Sequence, residues 1–246
     1  MEWRDTGFVL ATRRHGENAL IAELLTAEHG RHAGLVRGGQ SPRRRALLQP
    51  GNAVAASWRG RLPEHLGTLD CELVEAHAGR FLDDPDRLAA LGAATALLLA
   101  ALPEREPHGD LYRSFAGLLT ALDSVDWAQS YVAWECELLA GLGFALDLAR
   151  CAATGTSDDL AYVSPRSGRA VSRAAGLPYH DKLLPLPGFL WREGPATRAE
   201  IVAGLSLTQY FLLHHVLAPH GGKLPEARER LAERLRRSAT AGIINA

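Results

Sequence analysis

Residues 7–36 read GFVLATRRHGENALIAELLTAEHGRHAGLV, and this stretch decides the fold class. It begins a series of five short apolar runs separated by Gly, Pro and Asn, which lie at residues 7–13, 19–26, 30–36, 52–58 and 67–76. Short strands at this spacing, with turn residues between them, predict a small β-barrel in the first 80 residues. Alanine and leucine favour strands only weakly, so a helix over residues 19–28 remains an alternative.

The rest of the chain has helical periodicity. Asp84 and its acidic neighbours offer N-cap candidates, and two capping-box patterns begin at Thr197 and Ser206. The predicted helices cover residues 88–102, 110–122, 127–142, 200–204, 207–217 and 225–237. Residues 150–190 are rich in Gly, Ser, Pro and Arg and predict an irregular insertion. The predicted class is therefore α+β, with a barrel domain at 1–80 and a helical domain at 81–246.

The composition indicates a folded protein without a membrane segment. The chain has 246 residues, of which 47% are hydrophobic, enough to form a core. Met1 is followed by Glu2, Trp3 and Arg4, which cannot form the apolar part of a signal peptide. The longest apolar run, residues 89–102, is shorter than the roughly 20 residues that a membrane helix needs. We therefore expect a cytoplasmic location.

The net charge of −1 conceals an uneven distribution of arginine. No acidic residue lies between Glu28 and Glu64, whereas the same stretch contains Arg31, Arg37, Arg43, Arg44, Arg45, Arg59 and Arg61. Guanidinium groups pair with phosphates and stack on bases, and small barrels with basic grooves bind single strands. The acid-free stretch therefore predicts nucleic-acid binding, with an ordinary solvated arginine surface as the alternative.

The candidate DNA-binding residues centre on residues 37–45, RGGQSPRRR, which we predict to be a flexible basic loop. The candidates are Arg37, Arg43, Arg44 and Arg45, with Arg13, Arg14, Arg59 and Arg61 flanking them. A weaker candidate patch consists of Arg166, Arg169 and Arg173 in the insertion. Trp3, Phe8 and Trp58 offer rings for base stacking, but Phe8 fits the barrel core at least as well.

Known catalytic motifs are absent from the sequence. It has no phosphate-binding loop, no nucleophile elbow, no HExxH and no CxxC. His214-His215 fits a packing role on an apolar helix, and Asp158-Asp159 fits a solvated loop. We therefore expect no catalytic residues and no enzyme activity.

Several short motifs resemble the bacterial recombination-mediator family RecO. GLVRGG at residues 34–39, the arginine triplet and LQPG at residues 48–51 resemble its N-terminal domain. GLSLT at residues 204–208 and LPEAR at residues 224–228 resemble its C-terminal end. The resemblance therefore covers most of the chain and implies an OB-fold followed by a helical domain.

The resemblance also implies a function in recombinational DNA repair. RecO-like proteins bind single- and double-stranded DNA and anneal complementary strands, and with RecR they replace single-strand-binding protein by RecA. The expected partners are DNA, RecR, the C-terminal tail of single-strand-binding protein and also RecF and RecA, with a nucleoid-associated location in the cytoplasm. Two alternatives are an OB-fold module that binds RNA or ribosomes, and a scaffold that binds only proteins.

The cysteines depart from the pattern of some members, which carry zinc on two CxxC pairs. The corresponding residues are Cys151-Ala152-Ala153-Thr154 and Ser172-Arg173-Ala174-Ala175, in which only Cys151 has a thiol. Tetrahedral zinc needs three more ligands. Cys71 and Cys136 lie far away in the sequence, and neither a disulfide framework nor a four-cysteine site can be built. We therefore predict no metal and no cofactor, in a degenerate zinc-finger-like insertion.

Overall fold

The computed structural model describes residues 1–62 and 64–241. The chain divides into two compact units, one formed by residues 1–113 with 225–228 and the other by the remaining residues. The first unit contains a closed five-stranded barrel with the strand order β1-β2-β3-β5-β4. Its strands are β1 (Glu2–His15), β2 (Ala19–Thr26), β3 (Gly30–Val36), β4 (Ala53–Arg59) and β5 (Thr68–Glu75). The predicted barrel is confirmed, and residues 19–26 form a strand rather than a helix.

Antiparallel pairing builds most of the barrel, and one parallel contact closes it. β1 pairs with both β2 and β4, while β3 meets β5 in parallel at Leu35 and Thr68. The core includes Val9, Leu24, Val54 and Leu69, each at most 3% exposed. β-Branched and leucine side chains on the inward face of each strand account for this closure.

Two of the three aromatic candidates for base stacking are buried, Trp58 in the barrel core and Phe8 against His77 and Tyr112. Trp58 is 1% exposed, and its indole N–H donates to the carbonyl of Leu66 over 3.0 Å. Phe8 is also buried, and Trp3 is partly buried with its ring stacked on Trp58. Stacking of DNA bases on Phe8 or Trp58 is therefore ruled out by burial.

The basic segment predicted to be a flexible loop is a turn at residues 37–41 and then a short helix, α1 (Pro42–Leu47). Proline at its first turn fits a helix start, and Leu48 anchors its end because the side chain is 1% exposed. The side-chain amide of Asn52 donates to the carbonyls of Ala46 and Leu47, each over 3.1 Å. These contacts fix α1 on the barrel, so the three arginines project from a defined scaffold.

Two more helices complete the first unit next to the barrel. They are α2 (His77–Arg80) and α3 (Pro85–Ala101). The Asp84 carboxylate caps α3 by accepting from the backbone N–H groups of Asp86 and Arg87, as the sequence predicts. Gly51 has φ +90°, and an added Cβ would lie 2.5 Å from a methyl group of Leu91. α3 therefore packs closely on the barrel at a position that excludes a side chain.

The helical part of the chain continues with α4 (Gly109–Ala121) and α5 (Trp127–Gly141), followed later by α7 (Arg198–Phe211) and α8 (Glu226–Ala241). The capping box predicted at Thr197 is present, with Glu200 as its partner. The second one is wrong, because the Ser206 hydroxyl donates to the carbonyl of Val202 inside a continuous helix. Gly204 allows α7 to approach α5, since a Cβ there would lie 2.7 Å from Val132.

Residues 150–190, predicted to be irregular, contain a small antiparallel sheet. Its short strands are β6 (Leu160–Val163), β7 (Ala170–Ser172) and β8 (Leu184–Pro185), in the order β7-β6-β8. The one-turn helix α6 (Arg173–Gly176) and two 3₁₀ turns, Leu177–Lys182 and Gly188–Leu190, complete it. Strands of two to four residues carry too little periodicity to be recognised in the sequence.

Among the described residues, one helical stretch has the length and hydropathy that crossing a membrane requires. It runs from Arg198 to His220, through α7, a π-helical turn (Leu212–Leu217) and a 3₁₀ turn (Ala218–His220). Its apolar side chains Leu205, Phe211 and Leu212 are at most 1% exposed, as in the core helix of a folded domain. Length and composition alone are weak evidence for a membrane span.

Candidate nucleic-acid interface

A groove on the barrel surface collects four arginines from four parts of the first unit. We call it the Arg37 groove; it has a volume of about 610 Å³. Its arginines are Arg4 on β1, Arg37 after β3, Arg44 on α1 and Arg59 on β4. The lining also includes the hydroxyl groups of Ser57 and Thr68.

Ion pairs neutralise only half of this positive charge. Arg44 pairs with Asp70 at 2.6 Å, and Arg59 pairs with Glu2 at 2.9 Å. Within the described residues, no carboxylate lies within ion-pair distance of Arg4 or Arg37. Two arginines therefore remain available to an external anion, and both are exposed.

A second, smaller groove lies beside the β1–β2 turn. This Arg45 groove has a volume of about 230 Å³ and is lined by Thr12, Arg14, Leu20, Gln40, Arg45 and Gln49. It contains two exposed arginines and no acidic residue. Its glutamines are held in place, because the Gln40 amide donates to the carbonyl of Gly16 and the Gln49 amide to that of Arg45.

The largest of these three grooves, of about 1250 Å³, lies on another side of α1 and is lined by Arg43 and Arg44. We call it the Arg43 groove; its apolar lining includes Leu73, Leu82 and Leu88, which are all exposed. Cys71 also lines it, and burial raises the pKa of that thiol to about 12, which keeps it protonated and unreactive at neutral pH.

The side chains of three consecutive arginines point in three directions because they lie on the helix α1. Successive residues of an α-helix point about 100° apart, so a triplet cannot share one face. Arg43 lines the Arg43 groove, Arg44 reaches Asp70 beside the Arg37 groove, and Arg45 lines the Arg45 groove. A flexible loop would not separate the triplet in this way.

The structure thus groups the candidate residues in a way that the sequence did not predict. Arg37, Arg44 and Arg59 come together in one groove, and Arg14 and Arg45 in another. Arg13 and Arg61 are exposed and line none of these three grooves. Binding of DNA by these eight arginines stays a prediction.

Arg4 lines the Arg37 groove but is not among the DNA-binding candidates predicted from the sequence. The first strand was predicted to begin at residue 7, whereas β1 begins at Glu2 and extends over 14 residues. The alternating pattern of Glu2, Arg4 and Thr6 is exposed on one face of β1, and this two-residue period was the available signal.

The thiol of Cys151 is the centre of a hydrogen-bonded cluster in the insertion. Cys151 is 2% exposed, and the backbone N–H of Ser172 donates to its Sγ over 3.2 Å. Burial raises the pKa of this thiol, but hydrogen bonds from Ser172 and Thr154 outweigh burial and lower the pKa to about 6. No group of three or more His, Cys, Asp or Glu residues suited to a metal occurs in the described part of the chain.

Comparison with known proteins identifies the family. The family model "Recombination protein O N terminal" matches residues 1–77, and the family model "Recombination protein O C terminal" matches residues 82–224. The chain belongs to the RecO family. The N-terminal RecO match ends at the first residue of α2, just after the barrel, and the C-terminal match begins shortly before α3.

Curated relatives extend the RecO match over the whole chain. The "DNA repair protein RecO" of Rhodospirillum rubrum is 53% identical over 98% of this chain and 99% of its own length. The proteins of the same name from Rhodospirillum centenum and Cereibacter sphaeroides are 54% and 49% identical; they cover 99% and 97% of this chain, and 98% and 100% of their own lengths. Membership of RecO supports a role in DNA repair and recombination, in a family not known for catalysis.

Proposed function

We propose that this protein is a recombination mediator that binds single- and double-stranded DNA and anneals complementary strands. The observation that carries the proposal is the Arg37 groove, which combines four arginines with only two paired carboxylates. Such a groove binds the phosphate backbone and is indifferent to sequence, because no base edge needs to be read. A mediator that acts anywhere in a chromosome requires this indifference.

Electrostatics explains how an arginine surface promotes annealing. Two strands repel each other through their phosphates, and the repulsion extends over about 10 Å at 0.1 M salt. Arginines that contact both backbones replace condensed counterions and lower this repulsion. The three grooves around α1 place such cations on a rigid surface, since Leu48 and Asn52 hold the helix in position.

The partners in the proposal come from family membership rather than from the geometry. With RecR, the protein helps RecA to displace single-strand-binding protein from DNA; the tail of single-strand-binding protein, RecF and RecA are further partners. The action takes place at the nucleoid, in the cytoplasm and without a membrane. The protein needs no catalysis for this role, because annealing and displacement are driven by binding free energies.

We also propose that the insertion functions without zinc. At the positions of the two CxxC pairs, Thr154 and Ser172 offer hydroxyls and Ala175 offers no ligand, so only Cys151 supplies a sulfur. Hydrogen bonds to the Cys151 thiol take the place of metal coordination in joining these segments. Elemental analysis of pure protein should find no stoichiometric zinc, and one zinc per chain would contradict the proposal.

The proposed function is tested by annealing of complementary DNA coated with single-strand-binding protein. We expect the protein to accelerate annealing, RecR to alter the rate, and added salt to reduce it steeply. An RNA strand of the same sequence serves as the competitor. Stronger competition by RNA than by DNA would favour an RNA-binding module, and no binding at low salt would favour a protein scaffold.

A further inference from the structure

We propose that the Arg45 groove binds a second single strand while the first occupies the Arg37 groove, so that one chain presents two strands to each other. The inference rests on the proposed function and deepens it by assigning a separate site to each strand. Its ligand is the phosphate backbone of a single-stranded nucleic acid. Three features of the barrel support it: the charge of the Arg45 groove, its separation from the Arg37 groove, and the helix that lies between them.

The charge of the Arg45 groove is suited to an anion. Arg14 and Arg45 both line it, both are exposed, and no carboxylate lines it with them. The side-chain amides of Gln40 and Gln49 donate hydrogen bonds to backbone carbonyls, and these bonds hold the walls of the groove in one conformation. The lining is mainly polar, with Leu20 as its only large apolar side chain, and this fits a phosphate backbone better than an apolar peptide.

The two grooves are separate sites on the barrel. Arg4 in the Arg37 groove and Arg14 in the Arg45 groove lie ten positions apart on β1, roughly 30 Å along an extended strand. The first half of β1 pairs with β4 and the second half with β2, so the two arginines project from different parts of the barrel. No residue lines both grooves.

The helix α1 connects the two sites. Arg44 lines the Arg37 groove and the adjacent Arg45 lines the Arg45 groove. A helix with its side chains is about 10 Å wide, which is close to the screening length at 0.1 M salt. Two backbones on different sides of α1 would therefore experience the arginine charges between them, and their mutual repulsion would be reduced.

The experiment compares annealing with single-strand affinity in three double variants. They are Arg14→Ala with Arg45→Ala, Arg4→Ala with Arg37→Ala, and Lys182→Ala with Lys223→Ala. The lysine pair is the matched control: it removes the same charge from the only two lysines of the chain, which are exposed and line none of the three grooves. Affinity is measured with a labelled strand of about 12 nucleotides, within the span of one OB-fold.

We expect the Arg14/Arg45 variant to anneal about tenfold more slowly while its single-strand affinity falls less than about threefold, because the Arg37 groove still holds one strand. Wild-type protein should bind two short strands per chain at saturation and the variant only one. The Arg4/Arg37 variant should also bind one strand per chain, more weakly than the wild type, and lose annealing, and the lysine variant should keep both.

Parallel loss of affinity and annealing in the Arg14/Arg45 variant would overturn the inference, since it would mean one strand running through both grooves. An unchanged annealing rate would also overturn it, and would leave the Arg45 groove open to an acidic protein segment. Either result leaves the proposed function intact, provided that the wild type anneals DNA. Failure of the wild type to bind DNA at low salt would contradict the proposed function itself.

Discussion

The arginines of the barrel and those of the insertion have different surroundings. In the insertion, Arg169 pairs with Asp147 and Arg173 pairs with Asp159, each over 3.2 Å. In the barrel, Arg37 has no carboxylate within ion-pair distance among the described residues. A pattern of arginines in a sequence therefore does not define an anion site, because nearby acids decide which charges remain available.

The largest expected effect comes from removing the three consecutive arginines of α1, compared with removing three arginines of the insertion. Changing Arg43, Arg44 and Arg45 together to Ala should weaken single-strand binding about tenfold at 0.1 M salt and flatten the logarithmic salt slope by about 1, at about 0.7 per lost phosphate contact, because Arg44 already pairs with Asp70. The measurement is a salt titration of binding to a labelled strand.

The matched control changes Arg166, Arg169 and Arg173 to Ala, which removes the same charge from the insertion. Its affinity should fall less than about threefold, since two of these arginines already have acidic partners. Equal losses of single-strand affinity in the two triple variants would show that the arginines of the barrel bind DNA no better than those of the insertion.

A smaller effect is expected when an arginine of the barrel is released from its ion pair. Asp70→Asn frees Arg44 for DNA and removes a negative charge from the Arg37 groove. Affinity for a single strand should rise about threefold, since exposed ion pairs are worth at most about 1 kcal/mol. Asp147→Asn, which frees Arg169 in the insertion, is the control and should change affinity little. Weaker binding by the Asp70→Asn variant would show that Asp70 positions Arg44 rather than competing for it.

The last prediction concerns stability rather than binding and distinguishes the two buried cysteines. The pKa of Cys151 is lowered from its ordinary value of 9.0 to about 6, so the fold favours its thiolate. This contribution is present above pH 9 and is lost as the pH falls towards 6. From pH 6 to 8, the free energy of unfolding of the wild type should rise relative to Cys151→Ser, by at most about 1.4 kcal/mol per pH unit.

Cys71 in the barrel provides the opposite case, because burial raises its pKa to about 12. Its thiol is neutral in both the folded and the unfolded chain between pH 6 and 8. Cys71→Ala should therefore lower stability by a constant amount over this range, as followed by urea unfolding. A wild-type curve parallel to that of Cys151→Ser would refute a thiolate at Cys151.

The secondary structure that the sequence predicted well has strong local signals. The strands β2 and β3 lie within apolar runs bounded by turn residues, and α3 and α7 begin at Asp84 and Thr197, which cap them through their own side chains. In each case the signal lies within a few residues, so the sequence alone predicts the element.

The predictions that were wrong depended on how the segments pack in the folded chain. Gly38, Gly39 and Pro42 favour a loop locally, yet α1 forms because Asn52 binds its last carbonyls and Leu48 enters the core. The second capping box failed because Ser206 lies in a helix that packs along most of its length. Tertiary packing overrides weak local preferences in such segments.

The sequence by itself determined the barrel, the order of the helices and the acid-free stretch of arginines, since these depend on residues close together in the chain. Only the tertiary structure decided which arginines act together. Arg4, Arg37, Arg44 and Arg59 are separated by up to 55 positions, and they meet because β1 pairs with β4 while α1 lies against the same barrel. The availability of each charge depends on carboxylates brought near by folding, as Asp70 is to Arg44, and no local pattern encodes that distance.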